Sequence, residues 1–337
     1  STDGKHVAIT ARGRAFIAPT KSGRLVSMPQ KNGTRYRSAA FLPKSNQIYY
    51  LSDETGETEF WSAPANGTAD KARRITSDAQ VLRYGGKPSP DGSKIAYTDR
   101  DQILWILNVQ SGESRRVVQS SDGSAFDYPD LAWSANSRWL AFTDASSNAI
   151  QRIYLLDTEQ KDSKPIVVTT DRLDSYSPGF SNDGKWLYFL SDRTFRTVQR
   201  SPWGPRAPEA LLDKTTGIFA LDLIGGQRSP FQQDDELTTV AKKAEAGEED
   251  SPKDEEEKVE GKKKDVDETD PPRKNDYKLE DFTGRLHHVP IEAGNYSDLQ
   301  VAKSHLYFTQ RPIGLTRSTH LNAFPITRDP NGQEIKR

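Results

Sequence analysis

The sequence predicts an all-β fold: a β-propeller of four-stranded antiparallel blades, with about six blades present as part of a seven-bladed ring. Three observations lead there. One turn-and-strand unit recurs along the 337 residues at nearly constant spacing. Each period holds further short runs of β-branched and aromatic residues, punctuated by Gly, Pro, Asn and Asp. No stretch of comparable length shows the periodicity of an amphipathic helix.

The clearest copy of the unit runs from Ser89 through Pro90, Asp91 and Gly92 to Thr98 and Asp99. Others run from Ser134 to Asp144, from Ser181 to Asp192, from Pro43 to Asp53 and from Asp3 to Thr10. Their leading aliphatics, Val7, Ile48, Ile95, Leu140 and Leu187, stand at spacings of 41, 47, 45 and 47 residues. Leu306 opens a sixth copy, 119 residues after Leu187, which is one period plus an insertion. Third strands are expected from Ile103, Ile153 and Ile218. Outer strands are expected at Arg73–Thr76, Arg115–Val118, Pro165–Thr169 and Arg285–Pro290. Four short strands per period of this length are a propeller signature. One blade cannot bury its own faces, but neighbours stacked in a ring can. The chain opens at an inner turn and stops where an outer strand is due. A seventh blade is therefore expected beyond Arg337, and a six-bladed ring closed by the two ends is the alternative.

Residues 1–231 read as blades, 232–276 as a charged low-complexity insertion, and 277–337 as the propeller's continuation. The insertion carries Glu248-Glu249-Asp250, Asp254 to Lys258 and Lys262 to Asp265. It holds no aromatic residue, a composition that favours solvated disorder. It reads as a passive loop or as a docking tail. Elsewhere composition mainly excludes. The formal net charge of −1 argues against nucleic acid as a partner. No run approaches the roughly 18 apolar residues of a membrane span. With no cysteine, disulfides and thiolate metal sites are ruled out.

Catalytic signatures are missing: there is no Gly-x-Ser-x-Gly elbow, phosphate loop or His-Glu-x-x-His. His287 and His288 are adjacent in a strand and must face opposite sides. No catalytic, cofactor-binding or metal-binding residue is nominated, and no cofactor is expected. Two recurring positions remain. A tyrosine precedes each innermost strand, at Tyr36, Tyr84, Tyr128, Tyr176 and Tyr296, and an aspartate closes the second strand, at Asp53, Asp99, Asp144 and Asp192. Both have an ordinary structural reading, as seam packing and as backbone caps. Both are also expected on one rim of the ring. The candidate peptide-contacting set there is Arg35, Tyr36, Arg83, Tyr84, Asp127, Tyr128, Asp174 and Tyr176. The arginines would meet a peptide carboxylate and the aspartates an amine.

The turn motif alone is shared by many bacterial propellers, including the Tol-system periplasmic protein and propeller-bearing prolyl peptidases. More specific are Asp174 to Ser181 leading into Gly184 to Arg193, then Ser201 to Arg206 and Asp213 to Leu221. Gly284-Arg285 running to Val289-Pro290, and Ala293 to Tyr296, add to these. Together they resemble the second, seven-bladed propeller of Tricorn-type serine proteases, over nearly the whole chain outside the insertion. The resemblance implies a propeller that admits or filters oligopeptides on their way to a serine–histidine site. It places that site, with a PDZ-like domain, downstream of the propeller, so no catalytic residue of the family falls on this chain. It further implies a hydrolase as parent protein, assembly into homo-oligomers, and a periplasmic location, with cytoplasm as the alternative. The competing function is a protein–protein docking propeller of the cell envelope, of the Tol type.

Overall fold

The computed structural model describes residues 1–28, 30–67, 71–120, 130–195, 212–233, 277–282, 284–312, 318–329 and 332–335. Six antiparallel sheets follow one another along these residues. The first holds β1 (His6–Ala11), β2 (Arg14–Pro19) and β3 (Val26–Ser27). The second holds β4 (Tyr36–Leu42), β5 (Gln47–Thr55), β6 (Glu57–Pro64) and β7 (Arg73–Arg74). The third holds β8 (Arg83–Pro88), β9 (Lys94–Asp99), β10 (Ile103–Asn108) and β11 (Ser114–Gln119). In the fourth are β12 (Ala132–Trp133), β13 (Trp139–Ala145), β14 (Gln151–Asp157) and β15 (Ile166–Val167). The fifth comprises β16 (Ser175–Phe180), β17 (Trp186–Asp192), β18 (Thr216–Asp222) and β19 (Leu286–His288). The sixth comprises β20 (Tyr296–Val301), β21 (His305–Gln310) and β22 (His320–Pro325). Strands lie side by side in chain order within every sheet, the up-and-down arrangement of a propeller blade.

The recurrent turn explains itself chemically. In the third blade the Ser89 hydroxyl donates to Asp91 at 2.5 Å and accepts from the Lys94 amide at 3.0 Å. Gly92 takes the left-handed conformation, φ 74°, that closes the turn. A Cβ at Gly92 would also stand 2.5 Å from the Pro43 carbonyl oxygen of the preceding blade, so glycine is required twice over. Ser181, Asp183 and Gly184 repeat this pattern in the fifth blade. In the fourth, Ser137 takes the left-handed place, and its hydroxyl accepts from the Asp91 amide of the third blade at 3.0 Å.

Burial follows from strand alternation. Successive side chains of a second strand point into opposite seams. Ile48 and Tyr50 pack towards the first blade, while Tyr49 and Leu51 pack towards the third. Leu187 and Phe189 likewise join the fourth–fifth seam, and Trp186, Tyr188 and Leu190 the fifth–sixth. Five apolar clusters result among the described residues, one at each junction between successive sheets. Fully burying each large side chain there contributes roughly 1.5–3 kcal/mol. The end sheets each keep an outward apolar face: Val7 and Ile9 on β1 are both 43% exposed, and Leu321 on β22 is 64% exposed.

Phe231 packs in the fifth–sixth seam, and Gln232 and Gln233 after it are exposed. Residues 234–276, most of the expected insertion, lie outside the described residues. Tyr277 stacks near Trp139 and Phe180, and the Lys278 amide donates to the Leu223 carbonyl at 2.9 Å. Among the described residues no helix is long and apolar enough to cross a membrane.

Candidate functional site

The innermost strands carry a shared irregularity. In β4, β8, β16 and β20 the ladder with the second strand breaks at Arg37/Ala40, Arg83/Gly86, Tyr176/Gly179 and Ser297/Gln300. Three of these bulges hold a non-glycine residue in the left-handed region: Ser38 and Ser177 at φ 51°, and Asp298 at φ 55°. Such residues cost about 1 kcal/mol or more and persist only where the surroundings over-determine them. At Ser38 and Ser177 the preceding blade does so. The Ala39 amide donates to Thr10 Oγ1 at 2.9 Å, and the Ser177 amide to Asp130 Oδ2 at 2.9 Å.

Between the innermost strands of the third to sixth blades lies a cavity of about 390 Å³. Lys87, Asp130, Ser177, Asp298 and Gln300 give it polar groups, and Leu131, Trp133, Phe180 and Val301 give it apolar walls. Lys87 reaches solvent in this space. The protein around it desolvates the ammonium and holds its pKa below the ordinary lysine value, with Asp130 opposing that effect. Cation and carboxylates thus line one cavity beside aromatic and aliphatic surface. Extended peptides present the same mixture of groups.

The rim residues expected from sequence divide in the structure. Tyr36, Arg83, Ser175 and Tyr296 occupy one rung, opposite Ser52, Asp99, Ser191 and Gln310. Tyr84 and Tyr176 stand one residue further on. The tyrosines therefore do not form one recurring position; a one-residue step turns a side chain to the other face. Tyr36 is buried in the first seam with its ring 4.4 Å from Tyr50, and burial raises its pKa. The Tyr176 hydroxyl bonds with Asp192 and Thr216, each at 3.2 Å, and burial pushes its pKa far up. Tyr84 is half-buried and its hydroxyl has no protein partner among the described residues. Asp127 and Tyr128 lie outside the described residues.

Arg83 is not poised for a peptide. It is 6% exposed, and its guanidinium donates to Glu59 and Thr76 at 2.8 Å and to Asp78 at 2.7 Å. Burial works against its charge, but Tyr97, Asp78 and Glu59 outweigh that and raise its pKa. Asp174 is also engaged, accepting from the Gln151 amide of the fourth blade at 2.9 Å. Three of the second-strand aspartates serve as caps: Asp53 accepts from the Arg35 amide, Asp99 from the Ile103 amide, and Asp144 from the Ala145 amide. His287 packs on Trp186 and His288 on Phe219, on opposite faces of β19 as alternation requires. Arg35 alone of the expected charged set is exposed without an ion pair among the described residues. Sequence reasoning overlooked Lys87, Asp130 and Asp298, although each sits in an innermost-strand segment.

A profile of the family described as the Tricorn protease second beta propeller domain matches residues 1–329. The chain belongs to this family. Tricorn protease homolog 1 of Streptomyces coelicolor is 28% identical over 342 residues, covering 96% of this chain and 28% of that protein. The Tricorn protease of Thermoplasma volcanium is 29% identical over 198 residues, covering 57% of this chain and 18% of that protein. The chain thus spans about a quarter of the length of the Streptomyces relative and less of the Thermoplasma one. The crystal structure of the tricorn protease superposes with a TM-score of 0.72 at 16% identity, over 99% of this chain and 29% of that one. The architecture is therefore that of a Tricorn propeller.

Proposed function

We propose that this propeller is a non-catalytic module of a Tricorn-like serine peptidase, admitting or filtering oligopeptides on their way to a protease domain. The cavity between the innermost strands carries the reading. Its Lys87 and Asp298 offer opposite charges to peptide termini, and Trp133 and Phe180 offer apolar surface to side chains of any type. The uncovered faces of the first and last sheets are where a seventh blade would pack to complete the ring. The alternative of an envelope docking propeller is not favoured by a Tricorn-family match running from residue 1 to 329.

The test is binding of short fluorescent peptides to the purified chain. Lys87→Glu should weaken their binding several-fold, and fluorogenic peptides should be left uncleaved. Steady hydrolysis surviving repurification, or binding indifferent to Lys87, would turn the function elsewhere.

A further inference from the structure

A basic site lies away from that cavity, at the seam of the first two blades. Arg12, Arg35 and Arg37 line a cleft of about 480 Å³ together with Thr10, Gly13 and Ser38. All three arginines are exposed, and none makes an ion pair or a side-chain hydrogen bond among the described residues. Arg35 and Arg37 flank the buried Tyr36, so strand alternation puts both on one side. Arg12 comes from the tip of the β1–β2 hairpin, where it takes a left-handed conformation of φ 51°.

The cleft is built, not incidental. Gly13 O accepts from the Tyr36 amide at 2.7 Å and from Gln30 Nε2 at 2.7 Å, which clamps the hairpin tip onto the start of β4. Gln30 also donates to the Thr34 carbonyl at 2.6 Å, fixing the lead into Arg35. A Cβ at Gly13 would come within 3.4 Å of Arg35 Cγ, so the arginine stem lies against the turn. The nearby carboxylates are occupied. Asp53 accepts from the Arg35 amide at 2.7 Å, and Glu54 pairs with Lys31 at 3.7 Å.

We propose that this cleft is a docking site for acidic peptide segments, holding two or more of their carboxylates. The proposal rests on the peptide-handling reading above and adds a charge preference to it. Guanidinium groups present paired donors that match carboxylates, and three on one cleft exceed what a single carboxylate can use.

The experiment compares two peptides with blocked ends, one carrying three glutamates and the other three glutamines, by fluorescence anisotropy on the purified chain. The glutamate peptide should bind more tightly, and raising ionic strength should erase most of the difference. An exposed ion pair changes affinity by roughly 1.4- to 5-fold, so Arg12→Gln, Arg35→Gln and Arg37→Gln combined should weaken the glutamate peptide about tenfold. The glutamine peptide should be unaffected. Arg14 is exposed on the same hairpin but lines no part of the cleft; Arg14→Gln should change little. Equal loss from Arg14→Gln would reduce the effect to a general field and overturn the site. Equal binding of both peptides would overturn the preference and leave peptide handling standing. No binding of either would overturn both readings.

Discussion

The first and second seams present two arginines that look alike in sequence, each preceding a tyrosine that leads into an innermost strand. Arg35 and Arg83 have opposite fates. Arg35 projects from the rim with no carboxylate on its guanidinium among the described residues. Arg83 occupies the rung that Tyr36 holds one blade earlier, and is enclosed by Glu59, Thr76, Asp78 and the Tyr97 ring at 5.6 Å. The same local string therefore yields a solvated charge at one seam and a buried ion network at the next. Which of the two results depends on the rung: Arg83 stands twelve residues before Ile95, as Tyr36 stands twelve before Ile48, so the Arg-Tyr pair is shifted by one residue between the blades.

The largest consequence concerns Arg83. Its removal leaves the Glu59 carboxylate, itself 4% exposed, without its cation. Losing one partner of a buried pair costs about 3–5 kcal/mol. Arg83→Met should thus lower thermal stability sharply, and pairing it with Glu59→Leu should restore much of the loss. Chemical denaturation of the single and double variants measures both. A mild single variant would mean that water reaches the seam and that the two arginines differ less than their burial indicates.

A smaller contrast separates two tyrosines on the same register position. The Tyr176 hydroxyl bonds with Asp192 and Thr216, whereas that of Tyr84 has no protein partner among the described residues. Tyr176→Phe should cost about 1 kcal/mol, the usual net value of a hydrogen bond removed from one side. Tyr84→Phe should stay within about 0.5 kcal/mol. Equal melting temperatures for the pair would show that the Tyr176 contacts contribute no more than water does.

Acid sharpens the comparison between the two faces of the fifth blade. Burial, and then Arg193, lower the His288 pKa from its ordinary 6.5. The unfolded chain takes up the proton more readily than the folded one. Stability is therefore full above the unfolded value and falls as pH drops below about 6.5 through the lower folded pKa. His288→Gln should flatten that part of the stability–pH curve. Denaturation at pH 7.5 and at pH 5 checks the slope, and an unchanged slope in the variant would assign it to other groups.

Much of the fold was legible because its determinants are local. Ser89, Asp91 and Gly92 close a turn through their own hydrogen bonds and backbone angle, and the strands after such turns alternate between two seams. The strand positions, and the opposed faces of His287 and His288, follow from that. The site was less legible. Tyr36 stands twelve residues before Ile48 and Tyr84 eleven before Ile95, and that single-residue difference, hidden among strands of irregular register, puts them on different rungs. Asp130 lies in an expected innermost segment, yet its partner Ser177 is on the next blade, and only the ring brings them together. Arg12 and Arg37 likewise meet across a seam that no sequence spacing reveals.

The smallest expected effect is the other half of the opening comparison. Arg35→Glu places a carboxylate where the side chain is exposed and unpaired among the described residues, on a stem resting over Gly13. Its backbone amide still donates to Asp53, because that bond does not involve the side chain. Two terms remain. A new carboxylate would be drawn to Arg12 and Arg37 across the cleft and repelled by Asp53 and Glu54, and in solvent each interaction is worth a few tenths of a kcal/mol. They act in opposite directions, so net stability should move by no more than about 0.5 kcal/mol. Differential scanning calorimetry beside Arg83→Met gives the measurement. A loss comparable to that of the buried arginine would mean that the rim of the first seam is as tightly organised as the second, and the distinction between the two arginines would fail.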